Sequence, residues 1–241
     1  ALGPLGLAAG VRLRALEGWR GFDGATTACA EALARLRSGA PRQAAAWRDG
    51  QIWCLRAYRW HAEASELELS LQRCRYCYHS LQLEEAKSVR SRSDLRCVAD
   101  AVGITVATLT ADGFLCVGQR SIELEACNAM WHLLPSGMLN AEADVGASEA
   151  LQRWLAGRLQ DELAVTAAEV GPACLLALVD GGAEQGWKPD LLLTCRLLLS
   201  REALLQRFEA SEAARCKHGR LQCVGPLAPG QGPAGAAAEA A

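Results

Sequence analysis

The chain has 241 residues, which is enough to bury the core of one or two domains. Its 25 basic and 27 acidic residues give a net charge of -2, so its electrostatics offer no basis for non-specific binding of nucleic acid. The longest apolar run, residues 191–199, is interrupted by Thr194 and Arg196 and is too short to span a membrane; it predicts a buried strand.

The N-terminus and the cysteines bear on where the protein works. Because the chain starts with Ala1 rather than Met, we expect its natural N-terminus, with any targeting signal, to be missing; residues 1–10 could be a presequence remnant, although they lack its charge pattern. Eleven cysteines, odd in number and irregularly spaced, favour buried thiols in a reducing intracellular compartment over a disulfide framework. Those in apolar surroundings are Cys54, Cys116, Cys174, Cys195 and Cys223.

The first hundred residues predict a helix followed by two strands. Residues 25–46 are rich in alanine and favour a helix that ends near Gly39. Residues 52–60 and 67–73 are typical of strands, and in the second, leucines alternate with polar residues as in a half-buried strand. Residues 82–100 are charged and predict helix or loop.

A hairpin is the clearest local signal. Residues 102–109 and 114–119 are apolar runs that flank a four-residue connection containing Asp112 and Gly113. The Asp-Gly dipeptide favours the positive φ angles of a tight turn between antiparallel strands.

The second half of the chain predicts two helices and three strands. A helix over 147–164 has Ser148 as its predicted N-cap and Glu149 at its positive end. The other predicted elements are strands at 175–179, 191–199 and 221–224 and a helix from Ser200 to about Ala214. Proline, glycine and alanine dominate from Gly225 onward and predict a disordered tail. Strands and helices that mix without a repeat predict an α/β fold, with a mixed sheet covered by helices.

Two adjacent acids, Asp161 and Glu162, end the helix that follows a Pro-Ser-Gly turn at Pro135. Neighbouring carboxylates repel each other unless they share a cation, so this arrangement suits a magnesium–phosphate site. The alternative is an ordinary solvated helix end, and the two residues alone favour that alternative.

The surrounding pattern resembles the motif of the Nudix hydrolases, G-x5-E-x7-R-E-U-x-E-E-x-G-U, in which U is a bulky aliphatic residue. Leu159 and Val165 stand at aliphatic positions, Asp161 and Glu162 stand at the paired acids, and Glu149 stands at the first Glu. Pro135-Ser136-Gly137 stands for the usual Pro-Gly-Gly.

More narrowly, the chain resembles the branch of this family that cleaves UDP-glucose and UDP-galactose. The resemblance covers about residues 47–224 and rests on the order of its segments. Those segments are residues 49–53, 67–81, 99–103, 118–121, 175–180 and 188–191. It implies a Nudix-type α/β/α sandwich with a mixed sheet and an N-terminal α+β extension, divided into an extension at 1–98, a Nudix-like domain at 99–224 and a tail at 225–241.

The resemblance also implies an activity, the Mg2+-dependent hydrolysis of a UDP-sugar to UMP and a sugar 1-phosphate. The implied partner is a small nucleotide sugar, with no nucleic acid and no membrane; a protein partner stays undetermined. Implied roles are magnesium binding by Asp161 and Glu162, general-base catalysis by Glu142 or Glu149, and substrate binding by Arg120, Gly137 and Asp190.

Two departures from the motif open a rival interpretation. Gly157 replaces the motif Arg, and Arg158 replaces the Glu that normally serves as metal ligand or base. Arg158 precedes Asp161 and Glu162 by three and four residues, so on a helix its guanidinium shares their face and can pair with them. The chain could then be a lapsed enzyme that binds a nucleotide or a protein without cleaving anything. Arg153, four residues after Glu149, could restore the lost ion pair.

Three weaker signals remain open. Cys74 and Cys77 with His79 hint at a zinc-bearing interaction module, although buried thiols are the favoured interpretation. His132 lies between Trp131 and Leu133 and is predicted to be structural. The seven tryptophans are either core residues or, for one or two, a platform for stacking uracil.

Overall fold

The computed structural model describes residues 11–19, 50–95, 98–121, 129–141 and 147–226, together with Glu31 and Ala34, and the structural statements below refer to these residues. Of the helix predicted at 25–46, Glu31 and Ala34 are helical and the rest lies outside the described residues. The predicted presequence remnant and all of the predicted tail beyond Pro226 lie outside them as well.

The N-terminal sheet has three strands, β1 (Val11–Trp19), β2 (Gln51–His61) and β3 (Glu66–Arg75), in the order β1–β3–β2. The alternating leucines of β3 face the core, as predicted for a half-buried strand. β2 runs antiparallel to β3 and β1 runs parallel to it. Strand β1 was not predicted, although Val11, Leu13 and Ala15 alternate there with two arginines.

A seven-stranded mixed sheet follows, in the order β10–β5–β4–β9–β8, with β6 paired to β5 and β7 paired to β4. β4 and β9 are parallel, and the other pairs are antiparallel. The predicted α/β class, with a mixed sheet and an N-terminal α+β extension, is therefore confirmed. The strands are β4 (Gly103–Leu109), β5 (Leu115–Arg120), β6 (Trp131–Leu133), β7 (Ser136–Met138), β8 (Cys174–Asp180), β9 (Pro189–Arg196) and β10 (His218–Val224).

The predicted hairpin joins β4 to β5, but its turn differs from the expected one. Gly113 has a φ of 86°, whereas Asp112 is not among the residues with positive φ. The Gly113 N–H donates to the Thr110 carbonyl at 3.0 Å, and the Phe114 N–H donates to the Thr110 hydroxyl at 3.0 Å. The side chain of Thr110 thus closes a wider turn that needs only one left-handed residue.

The helices are α1 (Tyr76–Ala86), α2 (Ala147–Leu163), α3 (Arg201–Ala210) and α4 (Glu212–Lys217). Helix α2 begins at Ala147, so the prediction of Ser148 as its N-cap is wrong and Ser148 lies in the first turn. The helix predicted over 200–214 is split at Ser211, whose hydroxyl accepts the Ala214 N–H at 3.3 Å and starts α4. Serine competes with helical hydrogen bonding in this way and favours caps over helix interiors.

One apolar core joins the two sheets through α2. Its leucines at 151, 155, 159 and 163 recur every four residues and are fully buried. The core also holds Leu69 and Leu71 of β3, so α2 packs beneath both sheets. Backbone hydrogen bonds from Trp53 N to Leu139 O and from Val102 N to Trp53 O, both 2.9 Å, cross the predicted boundary at residue 98. That domain division stays a prediction. Among the described residues, no helix combines the length and the apolar character needed to cross a membrane.

Replacing Ala164 with glycine is expected to raise the free energy of unfolding by about 0.5–1 kcal/mol, because a Cβ is disfavoured at a left-handed helix end. Ala164 follows α2 with a φ of 55° and stands where the Nudix motif has glycine. Urea unfolding measures the change. The matched control is Ala156→Gly in the interior of the same helix, which should lower stability by about 1 kcal/mol; equal effects at both positions would contradict the explanation.

Candidate functional site

A cleft of about 650 Å³ opens beside α1, β4, β5 and β7 and the start of β9. Three cationic side chains, Arg120, Arg158 and Lys188, line it, together with the carboxylate of Asp190. The side chain of Trp131, which is 41% exposed, provides a flat apolar wall. The size is typical of small-molecule pockets, and the excess of positive charge favours an anionic ligand.

Arg120, the last residue of β5, is the most distinctive group in the cleft. Its Nε is buried and has no hydrogen-bond partner among the described residues, and no carboxylate of theirs forms an ion pair with it. An unsatisfied buried donor is costly, and a guanidinium binds phosphate oxygens through two parallel hydrogen bonds. Arg120 is therefore suited to receive a phosphate group.

Lys188 and Asp190 form an ion pair in which both side chains are mostly buried. Asp190 lies opposite Gly103 in the parallel pairing of β4 with β9, and a Cβ at Gly103 would collide with both members of the pair. Glycine at residue 103 thus leaves room for this ion pair, and a larger residue would displace the ends of both side chains. Asp190 was predicted as a site residue from the sequence and Lys188 was not, although the two are separated only by Pro189.

The predicted glycine turn lies at the rim of the cleft. Gly137 pairs with Ile104 in β7, and a Cβ there would lie 3.0 Å from Nη2 of Arg158. The guanidinium of Arg158 therefore packs directly over the Gly137 backbone, with its Cζ 5.7 Å from the ring centroid of Trp154. A residue with a side chain at 137 would push the guanidinium back by a few tenths of an ångström, so glycine favours this close approach.

The two predicted metal ligands point to different partners. Glu162 is 2% exposed; its Oε1 accepts from Arg158 Nη1 at 3.2 Å, and its Oε2 lies 3.3 Å from His218 Nε2. Asp161 is exposed and accepts from Lys217 Nζ at 3.0 Å. It lines an adjoining hollow of about 340 Å³. The expected pairing of Arg158 is confirmed for Glu162, since residues four apart share a helix face more closely than residues three apart.

These acids do not fit a magnesium ion. Both oxygens of Glu162 already have partners, and Asp161 pairs with Lys217, whereas Mg2+ requires free oxygen ligands around an octahedron. No group of three or more His, Cys, Asp or Glu residues is placed to hold a metal within the described part of the chain. Glu142 lies outside the described residues, and only the backbone of Glu149 is described. Their predicted roles stay predictions.

Three polar side chains, His218, His132 and Ser136, form a row that runs from the buried Glu162 to the cleft. The rings of His218 and His132 are 5.1 Å apart, and Ser136 Oγ lies 3.0 Å from His132 Nδ1. Burial, and then the charges of His218 and Arg120, lower the pKa of His132 below its ordinary value. This shift favours the neutral form of the His132 ring, which lines the cleft.

The Cys74–Cys77–His79 segment forms no metal-binding group within the described residues. Cys74 and Cys77 are buried, as is Cys54, in agreement with the favoured interpretation of buried thiols. That interpretation is wrong for Cys174, which is exposed at the start of β8, and Cys223 is only partly buried. Edge strands such as β8 leave one side open to solvent, which the apolar sequence around Cys174 does not reveal.

His79 makes the stability of the fold depend on pH. Burial, and then the charge of Lys188, lower its pKa from 6.5 to about 4. Unfolding restores a pKa near 6.5, so the unfolded chain binds the extra proton, and stability is fully present above pH 6.5 and is lost as pH falls toward 4. We expect His79 to reduce the free energy of unfolding by about 2–3 kcal/mol between pH 7 and pH 4.5.

Urea unfolding at the two pH values, for the wild type and for His79→Gln, measures this contribution. Glutamine does not titrate, so between pH 7 and pH 4.5 the free energy of unfolding of the variant should fall by about 2–3 kcal/mol less than that of the wild type. The hydrogen bond with Arg207 is the main reason that the pKa of Glu169 is lowered to about 2. In the folded protein Glu169 therefore titrates below the range from pH 4.5 to pH 7. The same pH dependence in both proteins would contradict the assignment.

Comparisons with known proteins place this geometry in context. No protein-family model and no curated protein matches the chain. A MutT protein from Methanosarcina mazei Go1 is similar in structure, with 14% identity, 52% of this chain and 75% of that chain covered, and a TM-score of 0.29. A mutT/nudix family protein from Listeria innocua is 17% identical. Its match covers 52% of this chain and 77% of the Listeria protein, with a TM-score of 0.35.

A bifunctional NMN adenylyltransferase/ADP ribose pyrophosphatase from Francisella tularensis, in complex with AMP and a Mn ion, is 12% identical. Its match covers 63% of this chain and 41% of that chain, with a TM-score of 0.37. These values describe a distant likeness of fold, and nothing about the chemistry of this chain follows from them.

Proposed function

We propose that the cleft binds the diphosphate of a nucleotide sugar, in a chain related to the Nudix hydrolases. The observation that carries this proposal is the guanidinium of Arg120, which lies in a cavity of about 650 Å³ with no carboxylate partner among the described residues. Lys188 and Arg158, which are paired with Asp190 and Glu162, place two further cationic groups on other walls of the same cavity. A diphosphate offers several anionic oxygens, and these three groups approach it from different sides.

The apolar part of the cavity is suited to a base or a sugar. Trp131 exposes its ring there, and Tyr76 lines the cavity as well. Aromatic rings of this kind give flat apolar area against which a base or a sugar can stack. From the resemblance of the chain we take UDP-glucose and UDP-galactose as the preferred ligands.

Hydrolysis of the bound diphosphate to UMP and a sugar 1-phosphate is the first candidate reaction. It is supported by the motif from Pro135 to Val165, whose glycine turn and helix meet at the cleft through the contact of Gly137 with Arg158. In this reaction Arg120 and Lys188 orient the diphosphate and stabilise the charge that develops on its oxygens. Glu142 and Glu149 are the two candidates for the general base that activates water.

Binding without cleavage is the second candidate, and one observation favours it. The guanidinium of Arg158, which is a permanent part of the chain, donates a hydrogen bond to one carboxylate oxygen of Glu162. The ring of His218 contacts the other oxygen. The side chain of Arg158 thereby supplies internally a positive charge that a metal ion would otherwise bring. Such a protein recognises the diphosphate through cationic side chains alone and needs no divalent cation.

One set of measurements on the purified chain separates these functions. Titration calorimetry with UDP-glucose and UDP-galactose, with and without Mg2+, measures binding, and chromatography measures UMP release from neutral to alkaline pH. Binding with release of UMP supports hydrolysis, and binding that survives chelation without release supports the second candidate. Absence of binding under all these conditions would overturn both.

A further inference from the structure

Three thiols and one threonine hydroxyl lie side by side on four neighbouring strands of the seven-stranded sheet, β10, β5, β4 and β9. Cys223 of β10 lies directly opposite Cys116 of β5. Continuing the β4–β5 register by one residue places Thr108 beside Cys116, and Thr108 lies opposite Cys195 of β9. The Thr108 hydroxyl lies 3.6 Å from Cys195 Sγ. Among these groups, Cys116 and Cys223 form the one cross-strand pair in which both members are thiols.

The geometry of the pair is close to that of a disulfide. Side chains directly opposite each other on antiparallel strands share a face, with Cβ atoms about 4.5–5.5 Å apart. A disulfide joins Cβ atoms about 3.5–4.5 Å apart, so a closure on the order of 1 Å is sufficient. Both residues are free thiols in this structure.

The two thiols differ in exposure and in acidity. Cys116 is fully buried, and the neighbouring Cys223 together with burial raises its pKa far above the ordinary value. Cys223 is partly exposed, and its contact with Cys116, aided by the charge of Arg201, lowers its pKa. Cys223 is therefore the thiol that solvent reaches and that ionises more readily, which are the properties of an attacking thiolate.

We propose that Cys116 and Cys223 form a reversible disulfide when the protein meets a peroxide. The Cys223 thiolate attacks one peroxide oxygen; the O–O bond breaks, and the departing hydroxide takes up a proton to become water. The resulting sulfenic acid is attacked at sulfur by the Cys116 sulfur. The S–S bond forms as the S–O bond breaks, and the leaving hydroxide takes the Cys116 proton as a second water. Peroxide is reduced by two electrons, and the two thiols are oxidised.

The crosslink connects the strands that border the cleft. β5 ends at Arg120, and β10 begins at His218, which pairs with Arg120 beyond a shift of register and contacts Glu162. A covalent bond between Cys116 and Cys223 ties the edge strand β10 to β5. It thereby restrains the two strands that carry Arg120 and His218 at their other end. This inference does not depend on the proposed function, because it rests on the thiols alone.

The experiment is peptide mapping of the full chain after treatment with hydrogen peroxide, with and without subsequent dithiothreitol. Trypsin releases Cys223 in a C-terminal peptide that holds no other cysteine, and it releases Cys116 in a peptide shared with Cys97. We expect these two peptides to be joined after peroxide, with the loss of two hydrogen atoms, and to separate after reduction. The crosslink should persist in Cys97→Ser and vanish in Cys223→Ser.

Matched controls use the exposed single thiols Cys174 and Cys216, whose replacement by serine should leave the crosslink unchanged. If Cys116→Ala fails to fold, the wild-type peptide map still decides the question. Recovery of Cys223 only as a sulfinic acid, or only joined to a cysteine other than Cys116, would overturn the proposal.

Discussion

Replacing Arg120 with alanine is expected to weaken the binding of UDP-glucose by about 10- to 100-fold. A hydrogen bond to a charged group contributes about 1.5–3 kcal/mol, and each 1.4 kcal/mol corresponds to a tenfold change in affinity. No described carboxylate forms an ion pair with the guanidinium, so its removal breaks no ion pair among the described residues. Calorimetry measures the affinity, and thermal unfolding checks the fold.

The matched control is Arg220→Ala. Arg220 lies on the neighbouring strand β10, opposite Gln119, and is exposed outside the cleft. It removes the same charge from nearly the same region, so long-range electrostatics affect both variants alike. Arg120→Lys keeps the charge without the forked geometry and should bind with intermediate affinity. An unchanged affinity in Arg120→Ala would remove the main support for the proposed cleft.

Replacing Arg158 with glutamate is expected to destabilise the protein without metal and to make its stability depend on a divalent cation. The change removes the partner of the buried Glu162 and adds a like charge beside it. Loss of one partner from a buried ion pair costs about 3–5 kcal/mol, and because the Arg158 side chain is 30% exposed we expect about 2–4 kcal/mol here. Mg2+ or Mn2+ should recover part of that loss by sharing the two carboxylates.

Arg158→Gln is the control for this variant, because it removes the same charge but adds no oxygen anion. Its thermal unfolding should show no response to Mg2+ beyond that of the wild type. If the missing glutamate is what separates this chain from an active hydrolase, Arg158→Glu should also release UMP from UDP-glucose faster than the wild type in the presence of Mg2+. An absence of cation-dependent stabilisation in Arg158→Glu would contradict the view that Arg158 stands in for a metal.

Local pattern predicted much of the secondary structure. The alternation of leucines marks β3, and the Asp-Gly hairpin marks β4 and β5, because side chains that face a core repeat with the period of the strand. Strands β6 and β7 have three residues each, too few to show a period. β1 was not predicted: its alternation covers only Val11 to Ala15, and no turn signal links it to its partner β3, where Val11 pairs with Leu67, 56 positions away.

The sequence by itself determined which chemical groups this protein has for its cleft. It placed acids, a glycine turn and Arg120 around one motif, and the helix period correctly predicted that Arg158 would pair with Glu162. The tertiary structure alone decided the other partners, because His218 and Lys217 reach Glu162 and Asp161 from 56 residues along the chain. Helical spacing fixes neighbours within a turn or two, whereas contacts between distant elements depend on how the sheet and helices pack, which no local pattern specifies.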